Sequence, residues 1–100
     1  MSLHVEQSYK YQGDDWWKWE VWIEGSDDEL DEIRSVEYKL HPTFPSPVRT
    51  SEDRNSKFIL KTHGWGVFPI HVKVALKDGR TVKLRHQLDL RYDDDTRTTE

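Results

Sequence analysis

Apolar and polar residues alternate along most of this chain of 100 residues. Alternation with a period of two puts successive side chains on opposite faces, so each such segment predicts a β-strand with one buried face. The pattern covers residues 17–23, 36–40, 58–60, 70–76 and 82–90, and a further strand is expected around 3–11. Asp78-Gly79 joins the last two segments and predicts a tight hairpin, because glycine readily takes the positive φ of such turns. About seven to eight short strands without a long helix predict an all-β fold, an immunoglobulin-like antiparallel β-sandwich.

Local turn chemistry predicts the segments between these strands. Ser26-Asp27-Asp28-Glu29 has the spacing of a capping box, which predicts a short helical turn over residues 27–32. Residues 42–56 are expected to form one long connection, because the prolines near its start lack the backbone donor that a central strand needs. We predict a single domain over residues 1–91 and a disordered acidic tail over 92–100, where no periodicity remains.

Composition and motifs argue against catalysis and metal binding. The chain has no cysteine, so a disulfide or a thiolate metal site is excluded. Its five histidines are scattered without metal-binding helical spacing, although His71 and His86 could approach each other across the hairpin. The chain contains neither a Gly-x-Ser-x-Gly elbow nor a glycine-rich phosphate loop. We therefore predict a non-enzymatic domain without a metal or cofactor.

The net charge of −4 disfavours nucleic-acid binding, because phosphate contacts need a basic surface. Residues 1–50 contain eleven acids and five bases, whereas residues 51–100 contain eight acids and ten bases. The acidic half could attract a basic peptide, but the solvated edges of a polar domain are the simpler interpretation. The start has no charged region before an apolar run, and the apolar segments are too short to span a membrane. We expect a cytoplasmic protein without membrane contact, and the sequence predicts no particular oligomeric state.

Two turn segments carry aromatic side chains that the alternating pattern does not assign to the core. Phe44 lies among prolines, and Trp65 lies between Gly64 and Gly66, which permit unusual backbone angles and the close approach of a ligand. The two aromatic rings could enclose a flat amide or acyl group. In the structural alternative, Phe44 caps the sandwich and Trp65 is a surface residue.

Polar and further aromatic residues accompany this pair. The His41 imidazole and the Thr43 hydroxyl could hydrogen-bond the amide of an acylated lysine, which offers one donor and one acceptor. A local turn bond is the alternative role for Thr43, and a structural role is the alternative for His41. Trp16 and Trp17, at the start of a strand, are weaker candidates for a third aromatic wall.

The order of these motifs resembles the YEATS domain family over roughly residues 16–90. The motifs are Leu-His-x-x-Phe-Pro-x-Pro at 40–47, Gly-Trp-Gly-x-Phe at 64–68, the early strand at 19–25 and the segment 86–90. The compact chain and its Pro-Thr-Phe-Pro-Ser-Pro form are most similar to the bacterial branch. The resemblance implies an immunoglobulin-like sandwich that binds acetyl- or crotonyl-lysine between two loop aromatics, an aromatic cage.

By motif position, the resemblance places ligand-binding residues in two loops, with Trp65 where many members have tyrosine and Thr43 where many have serine. These residues are His41, Thr43 and Phe44 in the first loop and Gly64, Trp65, Gly66 and Phe68 in the second. The implied partner is an acylated peptide or protein, and for a bacterial member we do not expect a histone. The alternatives are a protein-interaction or oligomerisation scaffold that has lost acyl-lysine binding, and a carbohydrate-binding module.

Overall fold

The structure, a computed structural model, describes residues 3–91. Within these residues, seven strands form two antiparallel sheets, one with the order β1-β2-β5 and the other with the order β4-β3-β6-β7. The strands are β1 His4–Gly13, β2 Trp16–Glu24, β3 Ile33–Lys39, β4 Val48–Ser51, β5 Leu60–Gly64, β6 Pro69–Leu76 and β7 Thr81–Gln87. One short helix, α1 Asp27–Asp31, and a 3₁₀ turn, Arg54–Ser56, complete the described fold.

The core lies between the two sheets, as the alternating pattern predicts. On β2 the side chains of Trp17, Trp19, Val21 and Ile23 are at most 2% exposed, while the residues between them face outward. The inward set of β6 from the opposite sheet, Ile70 to Leu76, is buried to a similar degree. Period-two burial on both sheets confirms the β-sandwich prediction.

Two hairpins and one cap follow from turn chemistry. Gly79 has a φ of 93° in the β6–β7 turn, which confirms the hairpin predicted at Asp78-Gly79. The β1–β2 turn uses Asp14 and Asp15, whose φ values are 54° and 58°. Aspartate tolerates this left-handed conformation, so two such residues form the turn without glycine at either centre. The predicted capping box is also present, because the Glu29 backbone donates to Ser26 Oγ at 3.2 Å.

Two predictions about chain segments are wrong. The connection over 42–56 contains a strand, β4, because the chain resumes extended pairing with β3 directly after the last proline. Phe58 does not lie on a strand, since Lys57 and Phe58 have φ values of 59° and 58° and the left-handed conformation interrupts any ladder. Phe58 is nevertheless fully buried, so the pattern identified its burial but not its backbone.

The register of the last hairpin separates the two histidines that the sequence suggested could approach each other. His71 pairs with Arg85, whereas His86 pairs with Ile70. Paired residues share a face of the sheet, so His71 points outward and His86 lies on the inner side with Ile70. Among residues 3–91, no three histidine or acidic side chains come close enough together to hold a metal ion.

Hydrogen bonds between the two sheets fix the sandwich at its sides and through its centre. The Tyr38 hydroxyl donates to the Phe58 carbonyl at 2.6 Å in the core. On one side Gln7 Oε1 of β1 accepts from the Asp89 backbone at 3.0 Å and lies 2.7 Å from His86 Nε2 of β7. On the other side Arg49 of β4 donates to Thr62 Oγ1 of β5 at 3.1 Å.

Helix α1 lies at the end of β2 that is opposite to Trp16, and the segment that contains it is rich in acids. The acids of residues 27–32 are Asp27, Asp28, Glu29, Asp31 and Glu32. Arg54 is paired with Asp31 at 2.9 Å and with Asp27 at 3.4 Å, which offsets only part of this charge. We refer to residues 27–32 as the acidic pole.

The ends of the chain and its apolar segments bear on two further predictions. The predicted disordered tail over 92–100 lies outside the described residues. Within the described part, no helix has both the length and the apolar character needed to cross a membrane.

Candidate ligand-binding pocket

A cavity of about 510 Å³ opens at the end of the sandwich that contains Trp16. It lies between the loop that precedes β4 and the loop that follows β5. Its walls are formed by Trp16, His41, Thr43, Phe44, Pro45, Arg49, Lys61, Thr62, His63, Gly64, Trp65, Gly66, Val67 and Phe68. The structure thus brings together along one cavity all seven residues that the sequence placed in the two binding loops.

Phe44 and Phe68 form the apolar inner wall, supported from behind by Trp19. The Phe44 and Phe68 ring centroids are 5.3 Å apart, and Trp19 meets them edge-on at 6.3 and 5.9 Å. Offset and edge-to-face contacts at these distances are favourable for aromatic rings. Phe68 is 6% exposed, whereas Phe44 is half-buried, so Phe44 both caps the core and presents a face to the cavity.

Trp65 is the most exposed large apolar residue of the described chain, at 65% of its surface. It lies just beyond the last residue of β5, so no alternating core position claims it. An exposed tryptophan of this size on a cavity wall is not explained by packing within the domain.

Gly64 and Gly66 differ from each other, and neither has the unusual backbone that the sequence suggested. Neither Gly64 nor Gly66 has a positive φ. A Cβ on Gly64 would lie 3.4 Å from Phe44 Cζ and 3.7 Å from Trp19 Nε1, which are van der Waals distances, so only a larger side chain would displace Phe44. A Cβ on Gly66 would meet nothing within 4 Å, so that position is open towards the cavity.

His41 and Thr43 form a small polar unit at the cavity mouth. His41 Nδ1 accepts from the Thr43 backbone N–H at 3.2 Å and lies 2.9 Å from the Thr43 hydroxyl. An acceptor at Nδ1 places the ring hydrogen on Nε2, and the hydroxyl oxygen keeps lone pairs for a further donor. The Phe44 backbone also donates to the His41 carbonyl at 3.0 Å, which fixes this tight turn.

Arg49 fastens the proline-rich loop to the rest of the pocket, a role that the sequence did not reveal. Its guanidinium donates to the carbonyls of Pro45 and Ser46 at 3.2 and 3.3 Å and to Thr62 Oγ1 at 3.1 Å. It also lies over the Phe44 ring, 5.7 Å from the centroid. These contacts to the loop and to β5 hold Phe44 in place.

The two candidates for a third aromatic wall separate clearly. Trp16 is 39% exposed, lines the cavity and lies 5.3 Å from the His63 ring. Trp17 does not face the cavity, because it belongs to the inward set of β2. Its side chain is fully buried and its Nε1 donates to the Arg91 carbonyl at 2.8 Å. The suggestion that Trp17 could project into the site is therefore wrong.

Sequence comparison identifies a family and relatives. A model of the prokaryotic YEATS domain matches residues 17–89. The Protein AF-9 homolog of Eremothecium gossypii is 37% identical over 68 residues, which are 66% of this chain and 32% of that protein. The Protein AF-9 homolog of Saccharomyces cerevisiae is 40% identical over 58 residues, 56% of this chain and 25% of that protein. The chain therefore spans about a third or less of the length of these relatives.

Comparison with solved structures gives the same family. The crystal structure of the yeast AF-9 homolog Yaf9 is 27% identical with a TM-score of 0.76, covering 90% of this chain and 67% of that chain. The Yaf9 YEATS domain recognizing an H3K122suc peptide is also 27% identical, with a TM-score of 0.64 and coverage of 96% and 72%. The Yaf9 YEATS domain bound to H3K27ac, at 24% identity and a TM-score of 0.69, supports the fold alone.

Proposed function

The chain belongs to the YEATS domain family, and on that premise we propose that it is a non-enzymatic reader of acylated lysine. The ligand would be an acetyl- or crotonyl-lysine, or a similar flat acyl or amide group, in a peptide or protein. The Yaf9 YEATS domain, whose structure this chain resembles, recognises an H3K122suc peptide, and this supports a binding module. The partner of this chain is proposed to be a different acylated protein.

One observation carries the proposal: Phe44 and Trp65 line the same cavity, and the Thr43 hydroxyl lies at its mouth. Neither Trp65 nor the free lone pairs of Thr43 have a role in the packing of the domain. A flat amide between two aromatic faces gains about 0.5–1.5 kcal/mol for each good ring contact, beyond the burial of area. Phe44 and Trp65 would therefore form two walls of an aromatic cage, with Trp16 as a third.

The polar atoms of the acyl-lysine amide need partners inside such a slot. We assign the amide N–H to the Thr43 hydroxyl oxygen, which His41 orients. The acyl carbonyl would accept from backbone N–H groups at Trp65 and Gly66, since both residues line the cavity. An unpaired buried amide costs about 1–3 kcal/mol, so these bonds would distinguish acylated lysine from a plain alkyl chain.

The proposal is tested by NMR titration with acetyl-lysine, crotonyl-lysine and unmodified lysine peptides. We expect acyl-dependent shifts of the Trp65 indole and of residues 41–44 and 64–68. Trp65→Ala should weaken binding at least about tenfold, because loss of one stacking wall removes on the order of 1.4 kcal/mol or more. Its thermal stability should be unchanged, since the side chain is mostly exposed.

Trp22→Ala is the matched control, because Trp22 lies on the outer face of β2 and does not line the cavity. Its acyl-peptide affinity should equal that of the unsubstituted protein. Equal affinity of Trp65→Ala and Trp22→Ala would reject the site. Binding of glycans without binding of acyl peptides would favour a carbohydrate-binding module, and concentration-dependent self-association with neither would favour a scaffold.

A further inference from the structure

A row of basic side chains crosses the outer face of the three-stranded sheet and ends at the pocket. Strand register places Lys10 of β1 opposite Lys18 of β2, and Lys18 opposite His63 of β5. All three side chains are on the solvent face, and His63 also lines the cavity. We call these three residues the basic row.

The two lysines of the basic row face each other as like charges. Directly opposed like charges destabilise an antiparallel sheet, because the side chains lie about 5 Å apart. In the described part of the chain, neither Lys10 nor Lys18 forms an ion pair with a carboxylate. Glu20, on the same face, accepts from Ser8 Oγ at 3.1 Å instead.

The pocket continues the same charge. Its ionisable lining side chains are His41, Arg49, Lys61 and His63, and none of its lining residues is an acid. The Arg49 guanidinium donates only to neutral oxygens, so its positive charge has no carboxylate partner among the described residues. In a chain with a net charge of −4, the pocket lining itself is therefore basic.

We propose that the natural partner presents its acylated lysine within an acidic segment, whose Asp or Glu side chains lie along the basic row. This inference rests on the reader function proposed above and adds the chemistry of the residues that flank the acyl-lysine. It is the opposite of the less favoured alternative drawn from the charge of residues 1–50, in which the domain attracts a basic peptide. Those acids include the acidic pole, which lies at the far end of β2.

The dimensions fit an extended peptide. Adjacent strands are about 4.8 Å apart, so the row from His63 to Lys10 spans about 10 Å, the length of about three extended residues. A nucleic acid would need a larger continuous basic surface than this short row. Asp14 and Asp15 occupy the adjacent hairpin turn, but neither lines the cavity.

The test measures peptide affinity by fluorescence anisotropy, using short peptides with a central acetyl-lysine flanked by acidic, neutral or basic residues. The acetyl group carries no charge, so any preference among the peptides comes from their flanks. We expect the acidic peptide to bind roughly three- to tenfold more tightly than the neutral peptide in low salt, and the basic peptide to bind most weakly. The preference should largely vanish at about 0.5 M salt, where exposed charges are screened.

Charge reversal of the row supplies the decisive variant. Lys10→Glu with Lys18→Glu should invert the order of the acidic and basic peptides and leave the neutral peptide unchanged. The matched control is Lys73→Glu with Lys83→Glu, because these lysines are also directly opposed but lie on the other sheet. The control variant should retain the order of the unsubstituted protein.

The outcomes separate this inference from the reader function. Acetyl-dependent binding with equal affinity for acidic and basic flanks would overturn the inference and leave the reader function intact. Binding of acidic peptides regardless of acetylation would support the basic row and reject the reader function. Equal effects of the two double variants would overturn the inference, because they would assign the preference to net charge alone.

Discussion

Gly64 shows how one missing side chain shapes the pocket. A Cβ on Gly64 would lie 3.4 Å from the Phe44 ring and 3.7 Å from Trp19 Nε1. Trp19 Nε1 is buried and has no hydrogen-bond partner in the described chain. The space beside Gly64 is therefore enclosed on this side by a buried indole N–H. The space at Gly64 therefore has room for a methyl group but not for a larger side chain beside Phe44.

We predict that Gly64→Val destabilises the domain by about 1–3 kcal/mol, because the buried position has room for a Cβ but not for further side-chain atoms beside Phe44 and Trp19. Gly66→Val is the control, since a Cβ there would meet nothing within 4 Å and its φ is not positive. Urea unfolding should place Gly66→Val within about 0.5 kcal/mol of the unsubstituted protein. Equal midpoints for both variants would contradict this account of Gly64.

Sequence reasoning located several pocket residues and missed others for a physical reason. Thr43, Phe44 and Trp65 could be identified because turn residues around them removed them from the alternating core pattern. Arg49 could not be identified, because its role depends on the folded chain, which places Thr62 of β5 and the Pro45 carbonyl within reach of its guanidinium. The basic row also depends on register, since a shift of one residue would move Lys10 to the other face.

At the level of strands and loops, a bend of the chain just before β5 positions a hydrogen bond between the two sheets. Lys57 and Phe58 are both in the left-handed region, which turns the buried Phe58 carbonyl towards Tyr38 of β3. Burial raises the pKa of the Tyr38 hydroxyl above its ordinary value, so the group is held as a neutral donor. This bend could not be predicted from the sequence, because neither lysine nor phenylalanine is a typical turn residue.

We predict that Tyr38→Phe destabilises the domain by about 1–3 kcal/mol, because it leaves the buried Phe58 carbonyl without this donor. Tyr9→Phe is the control, since Tyr9 is 39% exposed and removal of its hydroxyl leaves no buried group unpaired. Chemical denaturation of both variants provides the measurement. A Tyr38→Phe variant as stable as Tyr9→Phe would show that the bond between the sheets contributes nothing.

Across the whole molecule, the sandwich is closed on one side by contacts among Gln7, His86 and Asp89. Burial lowers the pKa of His86, while Glu6 and Asp89 raise it by smaller amounts. Because the folded pKa lies below the unfolded value of 6.5, the unfolded chain takes up the proton first as the pH falls. This contribution to stability is therefore fully present above pH 6.5 and is lost below it.

We predict that His86→Gln reduces the loss of stability between neutral pH and about pH 5, since an amide side chain at this position takes up no proton. The measurement is the urea midpoint as a function of pH, relative to the unsubstituted protein. His71→Gln is the control, because His71 is exposed on the opposite face of the same hairpin. An unchanged pH profile in His86→Gln would show that His86 does not contribute to the pH dependence of stability.

The separation of charge along the molecule has a consequence for how it meets a partner. The acidic pole and the pocket with its basic lining lie at opposite ends of β2, in a molecule 44 Å long. Such a separation gives the domain a permanent electric dipole moment, and a negatively charged partner exerts a torque on it before contact. The domain then tends to rotate so that its pocket faces the partner when the two collide. A larger fraction of collisions leads to binding, and the association rate rises without any change in the bound complex.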